Sequence, residues 1–118
     1  MHPASRDTQK AYKWGDGGVG WRLVETEGLL VIEETLAPRC GEKHHYHNQA
    51  AQCFYMLAGC AVMQFADGRH VEIDTGMALH IPPKTGHAIV NQTDDEIRFL
   101  VISAPSSRGD RHEVEQDK

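Results

Sequence analysis

His45-Tyr46-His47-Asn48-Gln49-Ala50-Ala51-Gln52 sets two imidazoles and a carboxamide within eight residues, and a third imidazole, His87, follows forty residues after His47. In an extended strand His45 and His47 leave the same face, about 7 Å apart along the chain. Asn48-Gln49-Ala50-Ala51 reads as a turn that brings Gln52 back on a neighbouring strand. His87 follows the loop Pro82-Pro83-Lys84-Thr85-Gly86 and opens another apolar run. Three imidazoles and an amide form a donor set for one divalent transition metal, with ring nitrogens converging at roughly 2.1 Å. His45, His47, Gln52 and His87 are therefore the expected metal ligands, assembled from three strands.

Outward from this stretch, short apolar runs alternate with turn clusters at a spacing close to ten residues. The runs are Trp21–Glu25, Leu29–Leu36, His44–His47, Cys53–Leu57, Ala61–Phe65, His70–Ile73, Met77–Ile81, Ala88–Asn91 and Ile97–Ser103. No window sustains a helical period, so the chain reads as an all-β sandwich or barrel. Asp67-Gly68 between apolar flanks is its sharpest hairpin signal. Residues 1–20, polar and ending in Gly15-Asp16-Gly17-Gly18-Val19-Gly20, read as a flexible lead-in. Residues 21–104 read as the barrel, and 105–118 as a polar tail. Runs such as Val31-Ile32 and Phe99-Leu100-Val101-Ile102 put apolar residues on both faces, which leads to the expectation of a homodimer through an outer sheet.

One domain is the expectation for 118 residues, and 40% hydrophobic content is enough for one core. Twelve basic against seventeen acidic residues give a net charge of −5 without a basic cluster. That pattern argues against nucleic acid and against an anionic membrane surface as partners. No apolar run approaches the roughly 20 residues that span a bilayer, and the first ten residues hold no hydrophobic leader, so a cytoplasmic protein is expected. Cys40, Cys53 and Cys60 match no paired metal spacing and are expected to be free.

With these residues in place, the chain resembles the cupin superfamily. The first cupin motif is matched by His45-x-His47, four residues, Gln52, six residues and Gly59. The second is matched by Gly76, Pro82, His87 and Asn91 at their intervals. The resemblance implies a double-stranded β-helix (jelly-roll) barrel, and three positions depart from it. Arg39 stands at the first motif's opening Gly, with Gly41 close by. Lys84 replaces the second motif's internal Gly, with Gly86 expected to supply the backbone freedom instead. Gln52 stands where most cupins place a metal-binding Glu.

The last departure is chemical. Gln52 with three neutral imidazoles leaves the ion its full charge, which lowers metal affinity and strengthens the ion as a Lewis acid. Mn, Fe, Co, Ni, Cu and Zn all suit such N/O donors. Alternation from Gln52 nominates Phe54 and Met56 as pocket wall toward a small-molecule substrate. Arg98 and Arg108 are candidates for binding a substrate carboxylate or phosphate. His80, within Met77–Ile81, is the one nominee for a proton shuttle. The expected function is metal-dependent isomerase or lyase chemistry on a small sugar-like, carbonyl or hydroxyl substrate. A metal-dependent dioxygenase and a non-enzymatic ligand-binding or sensing cupin are the alternatives. Single-domain cupins that open unsaturated uronates share the H-x-H-x4-Q spacing, but they carry an Asp and an aromatic on the last strand where this chain has Ile102 and Ala104. Only Arg108 falls at a comparable place. Cupins with Gln also include hydroxynitrile-cleaving proteins.

Overall fold

A computed structural model describes residues 1–114; 115–118, the end of the expected polar tail, lie outside the described residues. Eleven strands form two antiparallel sheets: β1 (Tyr12–Trp14), β2 (Gly18–Glu25), β3 (Leu30–Leu36), β4 (His45–His47), β5 (Ala51–Ala58), β6 (Ala61–Phe65), β7 (His70–Ile73), β8 (Ala78–Ile81), β9 (His87–Val90), β10 (Ile97–Ala104) and β11 (Arg111–Glu113). The six-stranded sheet runs β1-β2-β3-β10-β5-β8 and the five-stranded sheet β11-β4-β9-β6-β7. All nine apolar runs of the sequence are strands. Among the described residues no helix is long and apolar enough to cross a membrane.

Period-two burial fixes which face each residue presents. On β10, Ile97, Phe99, Val101 and Ser103 point inward while Arg98, Leu100 and Ile102 alternate outward. Its neighbour β5 matches it, with Phe99 opposite Met56, Val101 opposite Phe54 and Ser103 opposite Gln52. These side chains meet Leu36, Met63, Ile81 and Ile89 in one core between the sheets. The core is apolar at one end of the barrel and ends in Gln52, Ser103 and the histidines at the other. Asp67-Gly68 is the β6–β7 hairpin, with Gly68 at φ 93°.

Two segments expected to lie outside the barrel are paired to it. Tyr12–Trp14 pairs with Gly18–Gly20, so β2 begins three residues before Trp21. Gly15 and Gly17, at φ 54° and 79°, make the turn, conformations that favour glycine. Gly18 and Gly20 do something else: a Cβ on Gly18 would stand 2.4 Å from Trp14 Cε2, and one on Gly20 2.6 Å from Tyr12 Cζ. The bare backbone lets both rings lie across the sheet, and Trp14 packs edge-on against Phe99 at 6.1 Å. At the other end Arg111–Glu113 adds β11 beside β4.

The two departures from motif glycine resolve in one way. Arg39 and Lys84 themselves adopt φ of 61° and 64°. The backbone keeps the left-handed geometry although the side chain has changed. Gly86 does not supply that freedom; it allows a close approach instead, since a Cβ there would lie 2.8 Å from Ala66 Cβ.

Candidate metal centre

His45 and His47 leave the same face of β4, and His45 lies directly opposite His87 on β9. Each of the three rings is fixed by a hydrogen bond from Nδ1–H to a backbone carbonyl. His45 donates to Lys43 O at 3.1 Å, His47 to Asp110 O at 2.9 Å and His87 to Thr85 O at 2.8 Å. A carbonyl only accepts, so Nδ1 carries the proton and Nε2 keeps a bare lone pair. Nε2 of His47 and of His87 are buried without a protein partner. One donor atom from each ring lies within 4.8 Å of the others, so the three rings are gathered about one point.

Gln52 arrives from the opposite sheet. Its Nε2 donates to Ser103 Oγ at 3.0 Å, which leaves Oε1 buried and unpartnered. A buried carbonyl-type oxygen without a donor is costly in a closed core, and an ion bound by the three rings would satisfy it. The residues present therefore fit a divalent cation: three nitrogen lone pairs and one amide oxygen, all neutral.

Burial is the main cause of the perturbed ionisation here. It lowers His45 to about 3 and His87 to about 4, helped by neighbouring imidazoles and Arg111, and it lowers His47 as well. All three are neutral at neutral pH and ready to ligate.

Three of the four donor residues, His45, His47 and Gln52, line a cavity of about 260 Å³, whose wall also includes Tyr12, Glu34, Glu42, Phe54, Arg108 and Arg111. This is small beside the usual 300–1,000 Å³ of ligand pockets, so a compact substrate fits it best. His87 is fully buried behind the wall, its ring 4.6 Å from that of His45 and 5.9 Å from that of Phe54.

The other nominated residues separate clearly. Phe54 lines the cavity, whereas Met56, one pleat further along, is fully buried in the apolar core and does not. Arg108 stands at the mouth, in contact with Glu25. Arg98 does not reach the cavity: it lies on the outer face of β10, 3.7 Å from Glu33. His80 is also outside. Gln52 pairs with Ile81 and both point inward, so Cys53 and its partner His80 point out, and His80 is exposed. The three cysteines are free.

Two acids in the wall were not singled out from the sequence. Glu42 is 5% exposed, accepts from Ile89 N at 3.0 Å, and has Arg111 Nη1 at 3.6 Å and His45 Nδ1 at 3.7 Å. Burial pushes its carboxyl up to about 7 against the opposing pull of the Ile89 amide and Arg111. Glu34, 9% exposed, has no ion pair among the described residues. Burial, then the nearby Glu42, hold its carboxyl well above the usual range. Tyr12 beside it is likewise held protonated by burial and by Glu34. Glu34 had a signal in the sequence: Leu30, Ile32, Glu34 and Leu36 share one face of β3, so an acid stands in an apolar, inward register. Glu42 comes from a loop and had none.

Known proteins place this geometry in context. An uncharacterised protein of Methanocaldococcus jannaschii is 29% identical over 104 residues, spanning 84% of this chain and 82% of the relative. Quercetin 2,3-dioxygenase of Bacillus subtilis is 31% identical over 65 residues, which is 53% of this chain but only 19% of that protein. The polyketide cyclase RemF from Streptomyces resistomycificus superposes with a TM-score of 0.83 at 23% identity, covering 100% of this chain and 88% of that one. The family model described as the cupin domain matches residues 32–103. That span holds both sheets' central strands and all four candidate ligands, and with it the chain belongs to the cupin family.

Proposed function

We propose that this cupin is a small metal-dependent enzyme of isomerase or lyase type, acting on a compact polar substrate with carbonyl or hydroxyl groups. One observation carries the reading: a ring nitrogen from each of His45, His47 and His87 lies within 4.8 Å of the others, Nε2 of His47 and of His87 and Oε1 of Gln52 are buried without protein partners, and His45, His47 and Gln52 line a cavity of about 260 Å³. A divalent ion held there supplies a Lewis acid in a low-dielectric site.

The chain's own groups supply the rest. Glu34 is the proton-transfer residue in this reading, in place of the outward-facing His80. It is buried, free of any arginine or lysine pair among the described residues, and part of the cavity wall. A carboxyl kept neutral by its surroundings can give a proton to a substrate oxygen and, as carboxylate, take one from a neighbouring carbon. Phe54 excludes water from one side. Arg108, tethered by Glu25, and Arg111, tethered by Glu42, place positive charge at the mouth, which favours substrates that carry or develop negative charge.

Elemental analysis of protein purified without chelators or added metal is the first test, followed by turnover of unsaturated uronates and cyanohydrins. Near-stoichiometric transition metal that disappears in His87→Ala supports the enzyme. Glu34→Gln is expected to retain the metal and lose turnover by about 10²-fold or more. Metal-free protein with unaltered folding in His45→Ala would instead favour a ligand-binding or sensing barrel. The dioxygenase alternative draws on the likeness to the Bacillus subtilis relative. Its readout is O2 uptake by the Fe-, Ni-, Cu- or Mn-loaded protein.

A further inference from the structure

Asp110 lies seven residues beyond the stretch matched by the family model, in the turn that leads into β11. It nevertheless makes four hydrogen bonds, one to the candidate ligand His47 and three to the segment joining it to Gln52. Its backbone carbonyl accepts the Nδ1–H of His47 at 2.9 Å. Its carboxylate Oδ1 accepts Asn48 N at 3.0 Å, and Oδ2 accepts Gln49 N at 2.9 Å and Ala50 N at 3.1 Å. Those three amides belong to the turn between His47 on one sheet and Gln52 on the other. Nothing else among the described residues satisfies these amides, because the turn pairs with no strand.

We propose that Asp110 is a positioning residue of the metal centre, its carbonyl orienting His47 and its carboxylate setting the turn that delivers Gln52 to the same point. The inference rests on the metal-site reading above. Both tasks need one residue because the two ligands come from different sheets. His47 is placed by the β4–β9–β11 side of the barrel, and Gln52 by pairing with Ser103 and Ile81 on the other. The link between them is four residues long, and Asp110 takes up three of its amides. The pairing of Arg111 with His47 in turn holds Asp110 at this spot. The C-terminal strand is thus part of the metal centre without contributing a ligand.

Cobalt(II) alone is a sufficient probe, read on the full chain by its visible d–d spectrum and by competition with a chromogenic chelator. Asp110→Ala keeps the carbonyl and removes the carboxylate. It is expected to weaken cobalt binding by about 10- to 100-fold and to change the band positions as Gln52 loses its place. Asp110→Asn, which keeps one acceptor oxygen, is expected to recover part of both, and it serves as the test if the alanine variant does not fold. In a Gln52→Ala background the Asp110→Ala effect should largely vanish, since the carboxylate acts through Gln52 and the carbonyl on His47 is kept. A lowered melting temperature of the metal-free variant with wild-type cobalt affinity and spectrum would overturn the proposal, leaving Asp110 as a turn-former only. An undiminished loss in the Gln52→Ala background would overturn the carboxylate's role toward Gln52. Wild-type protein that binds no cobalt would remove the metal-site reading itself, and the inference with it.

Discussion

The ionisation of the three imidazoles makes a quantitative claim about metal affinity and pH. Three histidines with the ordinary pKa of about 6.5 would each be protonated about ten to one at about pH 5.5, and together would cost about 10³-fold in affinity relative to about pH 7.5. In this fold His45 lies at about 3 and His87 at about 4, so neither binds a proton in that window. His47 is also lowered, and even at an unshifted value it would contribute only about tenfold. The expected loss from the rings between about pH 7.5 and 5.5 is therefore tenfold or less. Glu42 adds to it in the same direction. With its carboxyl near 7 and 3.7 Å from His45 Nδ1, it gains a proton as pH falls and withdraws a negative charge from beside the ion. Glu42→Gln should bind more weakly than wild type at pH 7.5 and show the flatter profile. Zinc competition with a chelator calibrated at each pH measures both curves. A fall near 10³-fold in the Glu42→Gln protein would refute the reasoning, because it would mean rings that protonate as they do in water.

Three other outcomes follow from named contacts. Gln52→Glu places a carboxyl at a buried position, 6% exposed, beside the cluster of His45, His47 and His87, so at about pH 8 the metal-free variant should hold one extra proton in the site. Titration calorimetry in buffers of different ionisation enthalpy should then show about one proton released on zinc binding, against about none for wild type, and equal release would count against the neutral-ring assignment. Lys84→Gly relieves a φ of 64° while keeping the bond from Lys84 N to His47 O, and should raise unfolding stability in urea by up to about 1 kcal/mol. Gly18→Ala forces a Cβ against Trp14 at 2.4 Å and its backbone oxygen at 2.5 Å, and should cost about 2–3 kcal/mol in the same assay, with loss of near-ultraviolet tryptophan ellipticity.

The ligand set was legible because it uses the two patterns a strand writes plainly. His45 and His47 differ by one pleat period, and a turn then reverses the chain to Gln52. The proposed acid–base partner was harder for a related reason. Parity along a short run must be anchored on a residue known to point inward. In β8 Ala78 and His80 are exposed while Leu79 and Ile81 turn inward, and the Gln52–Ile81 pair fixes that sense, sending His80 outward. On β3 the anchor was present in Leu30, Ile32 and Leu36, and Glu34 stands out only when its register with them is taken seriously. The Gly-rich segment before Trp21 misleads through composition. Glycine placed for a ring to lie across the backbone looks the same in sequence as glycine in a mobile lead. Asp110 acts through loop amides, which have no period at all.

The distribution of charge around the donor set follows from Gln52. Where a carboxylate ligates, compensation for the cation sits on the ligand itself. Here the ligands are neutral, and the buried carboxyl that can compensate is Glu42, one layer behind His45 and tied to Arg111 at 3.6 Å. In the proposed reading, moving the negative charge back by one residue would leave a bound cation electron-poor toward the cavity while still lowering the cost of burying it. It also separates two tasks that one glutamate would combine. In the proposed reading Glu42 offsets the charge of the ion, and Glu34, in the wall of the same cavity and without an ion pair among the described residues, is held protonated by burial and is available to a substrate. That division would make the loss of the motif glutamate compatible with the proposed catalysis, the carboxyl function moving off the metal and into the wall.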